Sequence, residues 1–357
     1  MPAIRPRDLL TESLLERLGG TWAETAPAAG DVAATLRRDI AKLGDAGYLN
    51  VALPPEFGGL GCTLRQAACG QRRLARRAPL TALAVSAHLY WTGAAADAYR
   101  AGDDSVRWIL LEAARGALFA AGHDAGHSTG DGLPAAGRDL QFADPRSRCE
   151  PAGESGYRFR DTAVLSSLTP AWDWVAVHAV HAAGQAGQAE QAGQAGQAAP
   201  ARRGGPDAVL AFAGRGSRCT PAFRVARVQP AGTPADVFAT SAVGWGHSIL
   251  ASVQYSDARR AFNAAVAAVA DEAAGAPSGE HPLDRWPVAE AGLRLDAMKA
   301  KIAEITHPWP RVPEPAPDLG GYRLIGIHTM RHEVAEGARL VHGLIRQIAD
   351  APAVAAR

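Results

Sequence analysis

Residues Phe119 to Pro134, FAAGHDAGHSTGDGLP, bring together the side chains and the spacing most suited to chemistry. His123 and His127 stand four apart with Asp124 and Asp131 close by, and on a helix that spacing would turn both imidazoles toward one metal ion. Gly122, Gly126 and Gly130 argue against a helix, because glycine in a helix interior costs about 1 kcal/mol relative to alanine. A loop of small residues, with Gly122, Gly126 and Ser128 exposing backbone N–H groups, instead suits close approach to an anionic cofactor. That is the stronger reading, and no metal is expected. Further along, Leu165, Ser166 and Ser167 are by themselves an ordinary turn at a strand end. His247, with an ordinary pKa near 6.5, is a general-base candidate, set against the blander reading of a helix-start histidine making a local hydrogen bond.

Elements of three textures must position these groups. DVAATLRRDIAKLGDAGYL puts Val32, Leu36, Ile40 and Leu43 on one helical stripe, with Asp31 as N-cap and Gly44 or Gly47 as the stop. After the turn-rich LPPEFGGLG, Thr63 to Arg115 has helical composition broken at Pro79 and at AGDDS. From Gly116 short apolar runs such as YRFRDTAVL, WVAVHAV and DAVLAFA alternate with turn residues, which predicts strands. Residues 182–205, rich in Gly, Ala and Gln, supply no core side chains and read as a flexible loop. Helical periodicity returns after about Phe238, in Ser248 to Ala273, Trp286 to Ile305 and Arg331 to Ala349, with a proline-rich connector from His307 to Pro317. The expected fold class is α+β, with an N-terminal helical domain (1–115), a β-barrel-like domain (116–235) and a C-terminal helical bundle (236–357).

Length and charge narrow the function. A chain of 357 residues can bury an enzyme-sized core. Lys plus Arg (37) and Asp plus Glu (36) nearly cancel, so the basic field that nucleic acid or an anionic membrane surface demands is lacking, and neither partner is expected. The four cysteines form no C-x-x-C pair, the amino terminus lacks a signal-peptide core, and no apolar run approaches the ~18 residues of a membrane span, all of which points to the cytoplasm.

The order of these pieces resembles the acyl-CoA dehydrogenase superfamily. The resemblance rests on GYLNVALPPEFGGLG closing an early helix, FAAGHDAGHSTGDGLP, GYRFRDTAVLSSLTPAWDWVAVHAV, VARVQPAG, DARRAF, HPLDRWPVAEAGLRLDAM and HEVAEGARLV, in that order. It implies FAD held among helical, β and helical domains, with Gly122 and Ser128 near the cofactor phosphates or the CoA, and Leu165, Ser166 and Ser167 beside the flavin. It also implies an acyl-CoA or carrier-protein acyl thioester as substrate, and a homo- or hetero-oligomer with an acyl-CoA dehydrogenase-like subunit. In such a reaction a carboxylate takes the α-proton while a hydride leaves to the flavin. The family's usual glutamate, after a Gly-Gly pair beyond the last helix, has no counterpart where the chain reads ADAPAVAAR. The alternative position of that glutamate maps near Gly246, where His247 is the nearest titratable group, and Ala273 to Glu280 lacks the arginine that commonly reaches a neighbour's FAD. The sequence therefore implies a shortened, divergent flavoprotein of α,β-dehydrogenation. A non-catalytic subunit paired with a full-length homologue and a flavin-dependent monooxygenase on the same scaffold are the alternatives.

Overall fold

The computed structural model describes residues 32–123, 148–152, 156–160, 165–166, 171–181, 207–214, 223–229, 236–275, 285–307 and 319–350. Asp31, the 182–205 tract and the prolines from Pro308 to Pro317 lie outside them. Helix α1 (Val32–Asp45) buries Ile40 and Leu43 of its apolar stripe and stops before Gly47, whose φ of 77° is the left-handed conformation that favours glycine. Helix α2 (Leu64–Arg77) opens with a full capping box: Gln66 N–H donates to Thr63 Oγ1 while the Gln66 side chain accepts from Thr63 N–H. Pro79 then starts α3 (Pro79–Arg100), and α4 spans Arg107–Ala114.

Among the described residues all strands fall between Phe119 and Gln229: β1 (Phe119–His123), β2 (Arg148–Ala152), β3 (Gly156–Arg160), β4 (Leu165–Ser166), β5 (Trp174–His181), β6 (Asp207–Gly214) and β7 (Phe223–Gln229). They form one sheet around β5. One edge of β5 is shared in parallel by β1, at Trp174 to Ala176, and by β2, at Val180 and His181. The other edge pairs antiparallel with β6 along its whole length, and β6 with β7. Val175 to Val177 and Val209 to Ala213 are buried without alternation, as expected for strands covered on both faces. Beside them Cys149 is buried with Val209 and Val225, and burial lifts its thiol to about 11.

Three long helices follow: α5 (Val237–Gly275), α6 (Arg285–Thr306) and α7 (Leu319–Asp350). Helix α5 starts well before the expected Ser248. The glycines of AVGWGHS do not break it: residues 241–249 are all buried, and packing of the helix outweighs the low helix propensity of Gly244 and Gly246. Trp245 is buried as a packing anchor, whereas Trp286 is 68% exposed.

By contacts the chain divides into two compact units, which is a different division from the one by element type. One comprises Met1–Val51, Cys62–Ser86 and Gly244–Arg357; the other comprises Ala52–Gly61 and Ala87–Val243. The first has a core of Ala291, Leu295, Met298 and Ile302 of α6 against Met330, Val334 and Val341 of α7, with Ala251 and Ala258 of α5. Two buried side-chain pairs brace it: Tyr48 Oη donates to Gln71 Oε1 at 3.0 Å, and Thr81 Oγ1 to Asp39 Oδ2 at 2.9 Å. The second unit is centred on aromatic rings, with Phe212 edge-on to Trp91, Trp108 and Phe119 at centroid distances of 5.1, 5.6 and 5.4 Å. Trp174 packs edge-on against Trp108 at 5.4 Å.

Two glycines of α7 separate packing from helix propensity. A Cβ at Gly337 would lie 2.8 Å from Met298 Cγ and Sδ, while one at Gly343 would meet nothing within 4 Å. Gly343→Ala should therefore stabilise the protein by up to about 1 kcal/mol through helix propensity. Gly337→Ala should lose that gain and be destabilising by about 1–3 kcal/mol, and urea unfolding of the two variants checks the pair.

Candidate functional site

In the sheet unit, β1 and β4 form a short antiparallel ladder with Gly122 opposite Ser166 and His123 opposite Leu165. Three residues expected at the cofactor, Gly122, Leu165 and Ser166, thus come together on adjoining backbone. Ser128 and Ser167 lie outside the described residues, as do His127, Asp124 and Asp131 of the metal alternative. Among the described residues no group of three His, Cys, Asp or Glu side chains could hold a metal ion.

The ladder depends on how β1 begins. Leu118 N–H donates to Asp173 Oδ2 at 2.8 Å, and the Leu118 carbonyl accepts from Asp173 N–H at 2.9 Å and Trp174 N–H at 3.0 Å. The next amide, Phe119 N–H, donates to Nδ1 of His88 at 3.3 Å. His88 sits in the interior of α3 and is 1% exposed. As an acceptor its Nδ1 is unprotonated, so the ring carries its hydrogen on Nε2 in this arrangement. The Phe119 ring is held by Trp108 at 6.0 Å and Phe212 at 5.4 Å, and the Arg224 guanidinium lies 4.2 Å over the Trp108 ring. Sequence reading passed over His88 and Asp173. His88 is a single imidazole in an alanine-rich helix, and its partner is distant in sequence.

In the helical unit, His247 lies well inside α5 and is fully buried. The helix-start reading with a local hydrogen bond does not hold: among the described residues neither Nδ1 nor Nε2 has a partner, nor do the hydroxyls of Ser248 and Ser252. Its ring meets that of His328 of α7 edge-on at 5.1 Å. Burial foremost, then the charge of Arg331 and the neighbouring His328, push the His247 imidazolium down to about 3. His328, at the surface, is lowered too, by partial desolvation first and then by Arg331. The imidazole of His247 is therefore neutral at physiological pH. His328 and Arg331 carried no sequence signal, because only the crossing of α5 and α7 brings them to His247.

Residues 14–111 match the family model described as acyl-CoA dehydrogenase, N-terminal domain. The whole fold is shared with KijD3 in its complex with FMN and dTDP-3-amino-2,3,6-trideoxy-4-keto-3-methyl-D-glucose, at 18% identity over 98% of this chain and 84% of that one, TM-score 0.66. The chain has the acyl-CoA dehydrogenase-like fold. Two other solved members of this acyl-CoA dehydrogenase-like fold are similar to it. One is the nitrososynthase from Micromonospora carbonacea var. africana (16% identity, 98% of this chain, 87% of that chain, TM-score 0.64). The other is TdsC from Paenibacillus sp. A11-2 with FMN and indole (14%, 99%, 89%, TM-score 0.62), a protein also described as a dibenzothiophene monooxygenase. No curated protein matches the sequence. Among the described residues, no helix is long and apolar enough to cross a membrane.

The depressed His247 gives a signed pH dependence. Between the ordinary histidine value near 6.5 and about 3 the unfolded chain binds a proton that the folded chain refuses, so stability falls as pH falls through that window. The slope from this residue approaches about 1.4 kcal/mol per pH unit. Urea unfolding of wild type and His247→Leu at a series of pH values should show a flatter dependence for the variant between pH ~6.5 and the onset of carboxylate titration.

Proposed function

We propose that this acyl-CoA dehydrogenase-like chain is a flavin-dependent monooxygenase. The observation that carries the reading is His247. Dehydrogenation of an acyl thioester needs a base able to take the α-proton. Where the resemblance offers a second position for that base, this chain has Gly246, and the imidazole beside it is buried, next to Arg331, and lowered to about 3. Oxygenation makes no such demand: reduced flavin, when bound, activates dioxygen for transfer of one oxygen atom to the substrate. The remaining work is binding, orientation and exclusion of water.

The described residues fit a flavin. Gly122 carries no side chain to obstruct a ring or phosphate, and its place opposite Ser166 sets small residues on both strands of the ladder. His88 and Asp173 fix the start of the strand that presents Gly122. FMN is the favoured form over FAD, because Ala273 to Glu280 contains no arginine for a pyrophosphate. The KijD3 and TdsC structures, which hold FMN, support the same choice.

The deciding experiment mixes the purified protein with FMN or FAD and follows visible spectra without oxygen. The expected results are tighter binding of FMN, no bleaching by a series of acyl-CoA thioesters, and bleaching by a flavin reductase with reduced nicotinamide followed by reoxidation on admitting air. Bleaching by an acyl-CoA would establish the dehydrogenase reading instead, and failure of either flavin to bind would favour the non-catalytic subunit.

For association we propose a second copy of this chain on α6. Trp286 and Leu293, 68% and 66% exposed, stand two helical turns apart on one face of that helix, an apolar stripe that water does not favour. Sedimentation should show a dimer or larger assembly that Leu293→Glu shifts toward monomer, while an unaffected wild-type monomer would remove this part of the proposal.

A further inference from the structure

Two imidazoles four residues apart can share a metal ion only where the chain between them is helical, and His123 fails that condition because it lies in β1. The same spacing recurs at His328 and His332, and there it falls in the middle of α7, which is helical from Leu319 to Asp350. Residues i and i+4 of a helix stand one above the other on one face, with Cβ atoms about 5–6 Å apart, so both rings can reach one ion. Both residues are exposed. Among the described residues neither makes a hydrogen bond or an ion pair within the chain, so no protein group competes for their nitrogens. The His328 ring is backed edge-on by the buried ring of His247 at 5.1 Å, which reduces the freedom it would lose on binding. The acid of the next turn, Glu336, is taken by Arg339, whose Nε and Nη2 donate to Oε2 at 3.1 and 2.7 Å. Among the described residues no third His, Cys, Asp or Glu completes the pair.

We propose that His328 and His332 form a surface chelate for a divalent transition-metal ion, with two imidazole ligands from α7 and the other positions open to water. Imidazole suits Cu²⁺, Ni²⁺ and Zn²⁺, whereas Mg²⁺ and Ca²⁺ take oxygen ligands, and within the first group Cu²⁺ is held most tightly. Structural zinc sites use four protein ligands and catalytic ones three. A site with two is exchangeable. Arg331 stands ~80° around the helix from the midpoint of the pair, and its charge repels a cation, which weakens the site further. The chelate is independent of the flavin reading, because it uses none of the residues placed at the cofactor.

The test uses the full, untagged chain with labelled histidines, titrated with Cu²⁺ alone and followed by NMR. Substoichiometric Cu²⁺ should broaden the ring resonances of His328 and His332 before those of any other histidine, a chelator should restore them, and Mg²⁺ should leave both unmoved. His328→Gln and His332→Gln, at exposed positions that leave the fold intact, should each weaken binding by at least about tenfold. His332→Gln combined with Glu333→His keeps the number of histidines but moves the second ring ~140° around the helix from the first. That double variant should bind no better than His332→Gln. Broadening that begins at other histidines, or equal Cu²⁺ affinity in wild type and the double variant, would overturn the proposal.

Discussion

Two consecutive backbone amides at the start of β1 are held by side chains from outside the strand, Leu118 by the Asp173 carboxylate and Phe119 by His88. Both lie where the chain changes from helix to sheet, and the buried Phe119 amide would be costly to leave unpaired. Once they are held, β1 is aligned with β5 from Phe119 to Ala121 and with β4 from Gly122 to His123. The residues that could approach a flavin are therefore fixed by a carboxylate and an imidazole that need not touch it. Conformation at Gly122 is inherited from α3 and from the turn that precedes β5.

Packing around that junction is aromatic because the helix and the sheet each offer a broad apolar face. Trp91 of α3, Trp108 of α4, Phe119 of β1 and Phe212 of β6 meet edge to face, which places the positive rim of one ring against the negative face of the next. Arg224 extends the pattern at the exposed side of Trp108. In the other unit the buried core shared by α5, α6 and α7 is aliphatic, and the missing side chain of Gly337 leaves room for Met298.

Much of the secondary structure was legible because its causes are local. The capping box at Thr63, the stop at Gly47, the break at Pro79 and the apolar stripes of α6 and α7 are each settled within a few residues. The start of α5 was misplaced for a physical reason: Gly244 and Gly246 signal a helix boundary in isolation, but the residues around them are buried, and packing outweighs their low helix propensity. Gly122, Leu165 and Ser166 were singled out through the order of motifs, and the ladder sets them side by side; that they meet a flavin is the proposal. His88, Asp173, His328 and Arg331 were not, since their significance arises from contacts across long stretches of chain. His247 was noticed for its type, but its burial and lack of a partner belong to the helix packing.

Cys149 carries one more consequence. Its thiol lies under Val209 and Val225 with its pKa lifted to about 11, so near neutral pH only about one molecule in ten thousand is a thiolate while the sheet is closed. Alkylating reagents and peroxide react with thiolate, and they reach this sulfur only when β2 separates from its neighbours. The residue is thus a chemical clock for the sheet, recording in irreversible modification how often the strands part, with no probe added to the chain.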